Sequence, residues 1–237
     1  TEALIAVPAY EQSSDQEVAF QAVDYILRVL KKNMVFGMTW GRAMHEFVEQ
    51  LAKDERLRSL SFQNVKVVPF LGTPGAIQSD SWNTTTYSNT LATKVGNLLH
   101  CASYNLSAPM YVEGTKEKEL IESIDEIAKV LHMAETADIA LIGIGSMQDD
   151  SSIIKAEIRT KEEYKELVRK GAVGEIVGRI YDKNGQTVDE DLKRKMVGIS
   201  LDKIAKIPVR VGMSYGKDKI EAIKGAIAGG LVNVLVT

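Results

Sequence analysis

The chain has 237 residues, 45% hydrophobic and 26% charged, with a formal net charge of −3, a profile that suits one large α/β domain. No apolar run approaches the roughly 18 residues that span a bilayer, and no basic region precedes an apolar stretch at the N-terminus as in a secretory signal, so a cytoplasmic protein is expected. The pI of about 5.7 and the lack of a helix-turn-helix pattern exclude a stand-alone DNA-reading module; a chain that starts at Thr1 is expected to be a piece of something longer.

Apolar residues at Val18, Ala22, Tyr25, Ile26, Val29 and Leu30 have the spacing of one helix face. Met34 to Met38 reads as a buried strand, and Gly41 opens a second helix with Ala43, Met44, Phe47, Val48 and Leu51 on one side. A charged connector from Lys53 to Arg58 leads to a strand over Val65–Leu71, which the loop Gly72-Thr73-Pro74-Gly75 ends. The polar stretch Ser79 to Ser88 is weakly patterned, and a helix is predicted from Asn89 to about Ser103, burying the lone Cys101 as a small hydrophobe. Met110–Val112 reads as a short strand. Glu117–Glu135 gives the clearest helix, with Leu120, Ile124, Ile127, Ala128 and Leu131 on its apolar face.

Ile139 to Ile144 is almost continuously hydrophobic, as in a strand covered on both faces. A helix over Glu162–Arg169 follows. Glu175–Tyr181, the Asn184-Gly185 turn and Thr187-Val188 then read as a hairpin. Ser200 caps a short helix that ends before Pro208. A strand (Val209–Met213), a helix (Lys217–Ala228) and a last strand (Leu231–Val236) complete the chain. The alternation predicts an α/β fold with a mostly parallel, doubly wound sheet.

Ligands of such sheets bind beyond the carboxyl ends of the strands. Four turns there carry small or polar residues: Gly37–Arg42, Gly72–Gly75, Gly143–Ser146 and Ser214–Lys219. In the first, glycines bracket Thr39 and precede Arg42 at a helix start. Backbone amides and the positive helix end form an anion site there, to which Arg42 adds a guanidinium suited to phosphate; the plainer reading is a turn that needed glycine for packing. Gly143 and Gly145 have no third glycine at the spacing of a dinucleotide fingerprint, and no cofactor is expected. Asp149 and Asp150 lack clustered histidines, so a solvated loop fits them better than a metal site. Lys219, in the first turn of the last helix, either meets a ligand phosphate or is a surface lysine. Glu175 and Asp182, seven apart on one predicted strand, would face opposite sides. Glu175 is left to accept hydrogen bonds from sugar hydroxyls, and Asp182 to help form the hairpin.

Several segments together resemble one family. Met34 to Met44 (MVFGMTWGRAM) resembles a strand–GxxWGRT–helix element, and Gly174 to Gly185 resembles a GEIxGRFFDxxG signature. Val197–Leu201 and Ile207-Pro208 follow in order, and Lys219 to Thr237 is similar to KAEAIxxALxGGxVNVLVT. The family is the effector-binding domain of SorC/DeoR-type bacterial transcription regulators, and the likeness covers essentially all of residues 1–237. It implies a fold related to the glucosamine-6-phosphate deaminase and ribose-5-phosphate isomerase group, used for sensing. It also implies a homodimer or homotetramer, a phosphorylated sugar or sugar alcohol as effector, and operator DNA reached through an N-terminal helix-turn-helix that is absent here. By position, the phosphate would lie against Thr39, Gly41 and Arg42, with Lys219 nearby. Gly72, Asn89, Gly143, Gly145 and Glu175 would line the sugar, and Trp40, Ser146 and Asp182 complete the candidate set. The sequence departs from the family at Ala43, where a hydroxyl is usual, and at Tyr215, which would narrow the pocket. A sugar-phosphate isomerase or deaminase on the same fold would need a carboxylate base. No carboxylate pair at suitable spacing supports it, so no enzyme is expected; a pure oligomerisation scaffold would bind no ligand.

Overall fold

The computed structural model describes residues 2–7, 14–74, 84–149 and 151–237. Gly75, the stretch from Ser79 to Asn83, and Asp150 lie outside the described residues.

Seven of the described strands form one sheet: β1 (Glu2–Leu4), β2 (Val35–Met38), β3 (Lys66–Pro69), β4 (Ala102–Ser103), β5 (Ile139–Gly143), β9 (Val209–Met213) and β10 (Val234–Val236). Their order is β1-β10-β9-β5-β2-β3-β4, and every neighbouring pair is parallel. The helices are α1 (Ser14–Val29), α2 (Arg42–Leu51), α3 (Ser88–Leu98), α4 (Thr115–Glu122), α5 (Asp125–Glu135), α6 (Ser152–Lys155), α7 (Lys161–Arg169), α8 (Glu190–Lys195), α9 (Leu201–Ile204) and α10 (Ile220–Ala228).

Alternation along the strands builds two cores, because successive side chains point to opposite faces. Phe36, Met38, Ile139, Leu141, Val211 and Val236 pack with α1, α2 and α3 on one face. Val68, Phe70, Ala140, Ile142 and Leu235 pack with parts of α5 and α10 on the other. Gly37 is a place where only glycine fits, since a Cβ there would lie 1.9 Å from the Phe70 ring.

The chain runs outward from β2 to β3 and β4, then returns to the opposite side of β2 as β5. That reversal opens a crevice between the carboxyl ends of β2 and β5, where ligands of such sheets bind. Over it lies a small antiparallel sheet of β6 (Gly145–Ser146), β7 (Ala172–Ile176) and β8 (Arg179–Asp182). The Tyr181 hydroxyl anchors this sheet by donating to the Ala222 carbonyl of α10 at 2.9 Å.

Several sequence expectations need correction. The helix predicted over Glu117–Glu135 is two helices, because Ile124 is extended (φ −65°, ψ 123°) and Asp125 and Glu126 start a new first turn, where acidic side chains favour an N-terminus. The predicted helix through Ser103 stops at Leu98; His100 adopts φ 51° and the chain turns into β4. Met110–Val112 contributes only an isolated bridge, Tyr111 to Met196. The continuous strand from Glu175 to Tyr181 is a tight hairpin, turned at Val177 (φ 55°) and Gly178 (φ 66°). Glu175 and Asp182 therefore stand on different strands, and the single-strand parity does not apply to them.

Candidate functional site

Thr39, directly after β2, fastens the two sides of the crevice. Its N–H donates to the Leu141 carbonyl at 3.1 Å and its hydroxyl accepts the Gly143 N–H at 3.0 Å. At 1% exposure, Thr39 is a buried brace beneath the pocket rather than an exposed contact. Gly41 takes φ 104° and donates its N–H to the Thr86 carbonyl at 2.9 Å. The conformation is one that residues with a Cβ rarely adopt, and it starts α2 abruptly. Gly41, at the N-cap of α2, offers no side chain to cap the helix, and the His45 N–H donates to the Gly41 carbonyl. The positive end of the helix there favours a ligand anion.

The resulting cleft has a volume of about 350 Å³, within the range of small-molecule sites. Trp40, Gly41 and Arg42 form one wall, with the exposed Arg42 at the mouth; Gly143, Gly145 and Ser146 form the next. Ser214, Tyr215, Gly216, Asp218 and Lys219 also line it, as do Ser151, Ser152, Glu175 and Val177. Ser146 ties two walls together: Lys219 Nζ donates to its Oγ at 2.7 Å, and that hydroxyl donates to Asp218 Oδ2 at 2.9 Å. Lys219 and Asp218 are themselves 3.2 Å apart.

Two carboxylates respond oppositely to these surroundings. Glu175 is 6% exposed, and burial pushes its carboxyl up to about 7, although the Gly178 N–H, the Lys219 charge and the Ser151 hydroxyl pull it down. At Asp218 burial also acts upward, but the Ser146 hydroxyl and Lys219 outweigh it and hold the carboxyl below its usual range. The cleft thus brings two cations, Arg42 and Lys219, together with hydroxyls and carboxylates. Tyr215 lines it, in the place where it was expected to narrow the pocket.

Of the sequence candidates, Trp40, Gly41, Arg42, Gly143, Gly145, Ser146, Glu175 and Lys219 line this one cleft, with Thr39 behind them. Gly72, Asn89 and Asp182 do not line it. Gly72 is where two chain segments touch: a Cβ would lie 2.5 Å from the Ala108 carbonyl oxygen. The Asn89 amide is used up, donating to Thr73 Oγ1 and Leu106 O and accepting the Leu106 N–H. Asp182 accepts the Asn184 and Gln186 N–H groups at 2.9 Å, the hairpin role also read for it from the sequence. An Asn89→Ala variant should lose roughly 1–3 kcal/mol of stability through the orphaned Leu106 amide while keeping its ligand affinity. Thermal melts with and without ligand check both halves.

Sequence reasoning missed Ser151, Ser152 and Val177 as lining residues, and it reached Asp218 only as part of the Ser214–Lys219 turn. Ser151 carried a readable signal, since it caps α6 by accepting the Ile153 N–H and a capping hydroxyl marks a loop-to-helix entry. Among the described residues no group of three or more His, Cys, Asp or Glu is placed to hold a metal ion, and no helix is long and apolar enough to cross a membrane.

This fold, with a polar cleft at its switch point, is shared by a family of sugar-binding domains. Residues 1–237 match the family described as "Putative sugar-binding domain". The chain belongs to this family, the sugar-binding domain of SorC/DeoR-type transcriptional regulators. The transcriptional regulator LsrR of Escherichia coli O9:H4 (strain HS) is 30% identical over 220 residues, covering 91% of this chain and 63% of that protein. The sorbitol operon regulator of Klebsiella pneumoniae is 28% identical over 212 residues, covering 89% and 64%. The full-length sorbitol operon regulator SorC from Klebsiella pneumoniae superimposes with a TM-score of 0.87 at 26% identity, covering all of this chain and 73% of that one. The chain therefore spans somewhat under two thirds of the curated relatives' length. These relatives are named as regulators, not enzymes.

Proposed function

We propose that this domain senses a phosphorylated sugar or sugar alcohol in the switch-point cleft and reports it to the rest of a regulator of carbohydrate metabolism. The carrying observation is the mixed lining of one cleft: Arg42 and the start of α2 share it with Lys219, Glu175, Asp218 and serine hydroxyls. A phosphate suits the cations and the helix start, and a polyol the carboxylates and hydroxyls. Phosphate binding orders the Thr39–Arg42 turn and the loop ahead of Lys219. Closure there shifts a surface between subunits of a homodimer or homotetramer and so resets the spacing of N-terminal helix-turn-helix elements that read operator DNA. The ligand drives this change only by its difference in affinity for the two arrangements.

A thermal-shift panel of phosphorylated sugars and sugar alcohols, each beside its unphosphorylated parent, tests the reading. The cognate ligand stabilises by roughly 2.7 kcal/mol at about a hundredfold excess over its Kd, a Tm rise of roughly 5–10 °C, and is recovered unchanged. Equal shifts from the parent sugars would remove the phosphate from the recognition. One observation favours the isomerase or deaminase reading: the Glu175 carboxyl, pushed up to about 7, lies in the range of a general base. Turnover of glucosamine 6-phosphate or ribose 5-phosphate by the purified domain would establish that activity.

A further inference from the structure

Away from the cleft, Arg179 is a buried cation that the protein leaves incompletely matched. It is 2% exposed and begins β8 directly after the Val177–Gly178 turn. One guanidinium nitrogen, Nη2, donates to the Met196 and Gly198 carbonyls at 3.2 Å. Nε and Nη1 are buried with no hydrogen-bond partner, and no carboxylate pairs with Arg179 among the described residues. Burial draws its pKa down to about 10, with Glu122 and Asp202 acting weakly the other way, so the side chain is still charged at neutral pH. A buried charge without a counterion is costly, and orphaned buried donors call for an acceptor from outside the chain.

Arg179 borders a surface groove of about 560 Å³ whose other charged walls include Lys118, Glu122, Lys193, Arg194 and Asp202. Glu122 is already engaged by Lys118 at 2.7 Å, and Glu135, further along the groove, by Lys203 at 2.9 Å. Arg194 has no ion-pair partner among the described residues, while Glu119 and Asp202 are exposed to water. Four cations and four carboxylates line the groove, so its charge is balanced overall, and yet among the described residues no carboxylate hydrogen-bonds the Nε or Nη1 of Arg179. The groove is separate from the switch-point cleft: Val177, in the turn, lines the cleft, and Arg179, directly after the turn, lines the groove.

We propose that this groove is a second ligand site, taking a small oxyanion, a carboxylate or phosphoryl group, onto the guanidinium of Arg179 with Arg194 at the rim. The test follows the Arg179 Nε–H cross-peak in ¹⁵N-labelled protein, assigned by through-bond correlation along the side chain and by its loss in Arg179→Lys. Inorganic phosphate and, separately, acetate are titrated at ionic strength held constant with chloride, in the wild type and in Arg42→Ala. The peak is expected to move saturably with at least one anion and equally in both proteins. Arg194→Ala should weaken that binding about tenfold, as loss of a charge-assisted contact does. Movement with phosphate alone assigns a phosphoryl ligand, and with acetate alone a carboxylate. A peak that neither anion moves, that chloride moves equally, or whose response vanishes in Arg42→Ala overturns the proposal and leaves the groove to water. The through-bond assignment keeps the test valid should Arg179→Lys not fold.

Discussion

Replacing Arg42 with alanine is expected to weaken binding of the phosphorylated effector by roughly tenfold to a hundredfold, the range for removing a charge-assisted contact to phosphate. The fold should not notice the change. Arg42 is exposed at the first position of α2, and substitutions at such places usually shift stability by no more than about 0.5 kcal/mol. Affinity for the unphosphorylated parent sugar should stay nearly constant, because the serines and carboxylates inside the cleft are untouched. Calorimetric titration of both ligands into both proteins measures the difference. A lysine at this position should recover part of the loss, since it restores the charge without the planar fork. Equal affinity of wild type and Arg42→Ala for the phosphorylated ligand would take the mouth of the cleft out of the site.

Glu175 carries the second large effect, on stability as a function of pH. Its carboxyl is pushed from the usual 4.5 up to about 7 in the folded protein. The folded state therefore holds a proton that the unfolded chain has released at pH values between these two. Stability rises with pH only where the unfolded state binds more protons; here the folded state does, so stability falls. The contribution is fully present below about pH 4.5 and is lost as pH rises through 7, amounting to on the order of 3 kcal/mol at about 1.4 kcal/mol per pKa unit. A Glu175→Gln variant, neutral throughout, should flatten this part of the profile and melt higher than wild type at pH 8. Denaturant unfolding of both proteins from pH 5 to 8 checks it; parallel profiles would show that Glu175 titrates like an exposed carboxylate. A ligand whose hydroxyls donate to Glu175 favours the ionised form, so effector binding at pH 6 to 7 should release protons.

Much of the fold was legible because its physics is periodic. The Ile139–Ile144 run and the alternation of apolar and helical segments announced a parallel sheet covered on both faces, and the two cores show why. Ile139 and Leu141 enter one core while Ala140 and Ile142 enter the other. The cleft walls at Gly41–Arg42, Gly143–Ser146 and Lys219 were legible for a related reason, since glycines and polar residues gather where parallel strands give way to helices at a switch point. Local exceptions were hidden. Val177 bends the chain with φ 55°, a conformation a β-branched residue seldom adopts, so a hairpin looked like one strand. Ile124 fits a helical stripe yet sits extended between α4 and α5. Gly72 and Asn89 had the composition of ligand contacts, but close chain packing and a long-range hydrogen-bond partner at Leu106 claim them, and nearest-neighbour patterns carry neither.

The most direct single measurement is a crystal structure of the domain with the phosphorylated ligand found by thermal shift. The phosphate is expected against the first-turn amides of α2, within hydrogen-bond distance of the Arg42 guanidinium, with sugar hydroxyls on Glu175. A ligand bound elsewhere, or one bound in the cleft with its phosphate directed away from α2, would contradict the assignment of the anion cradle.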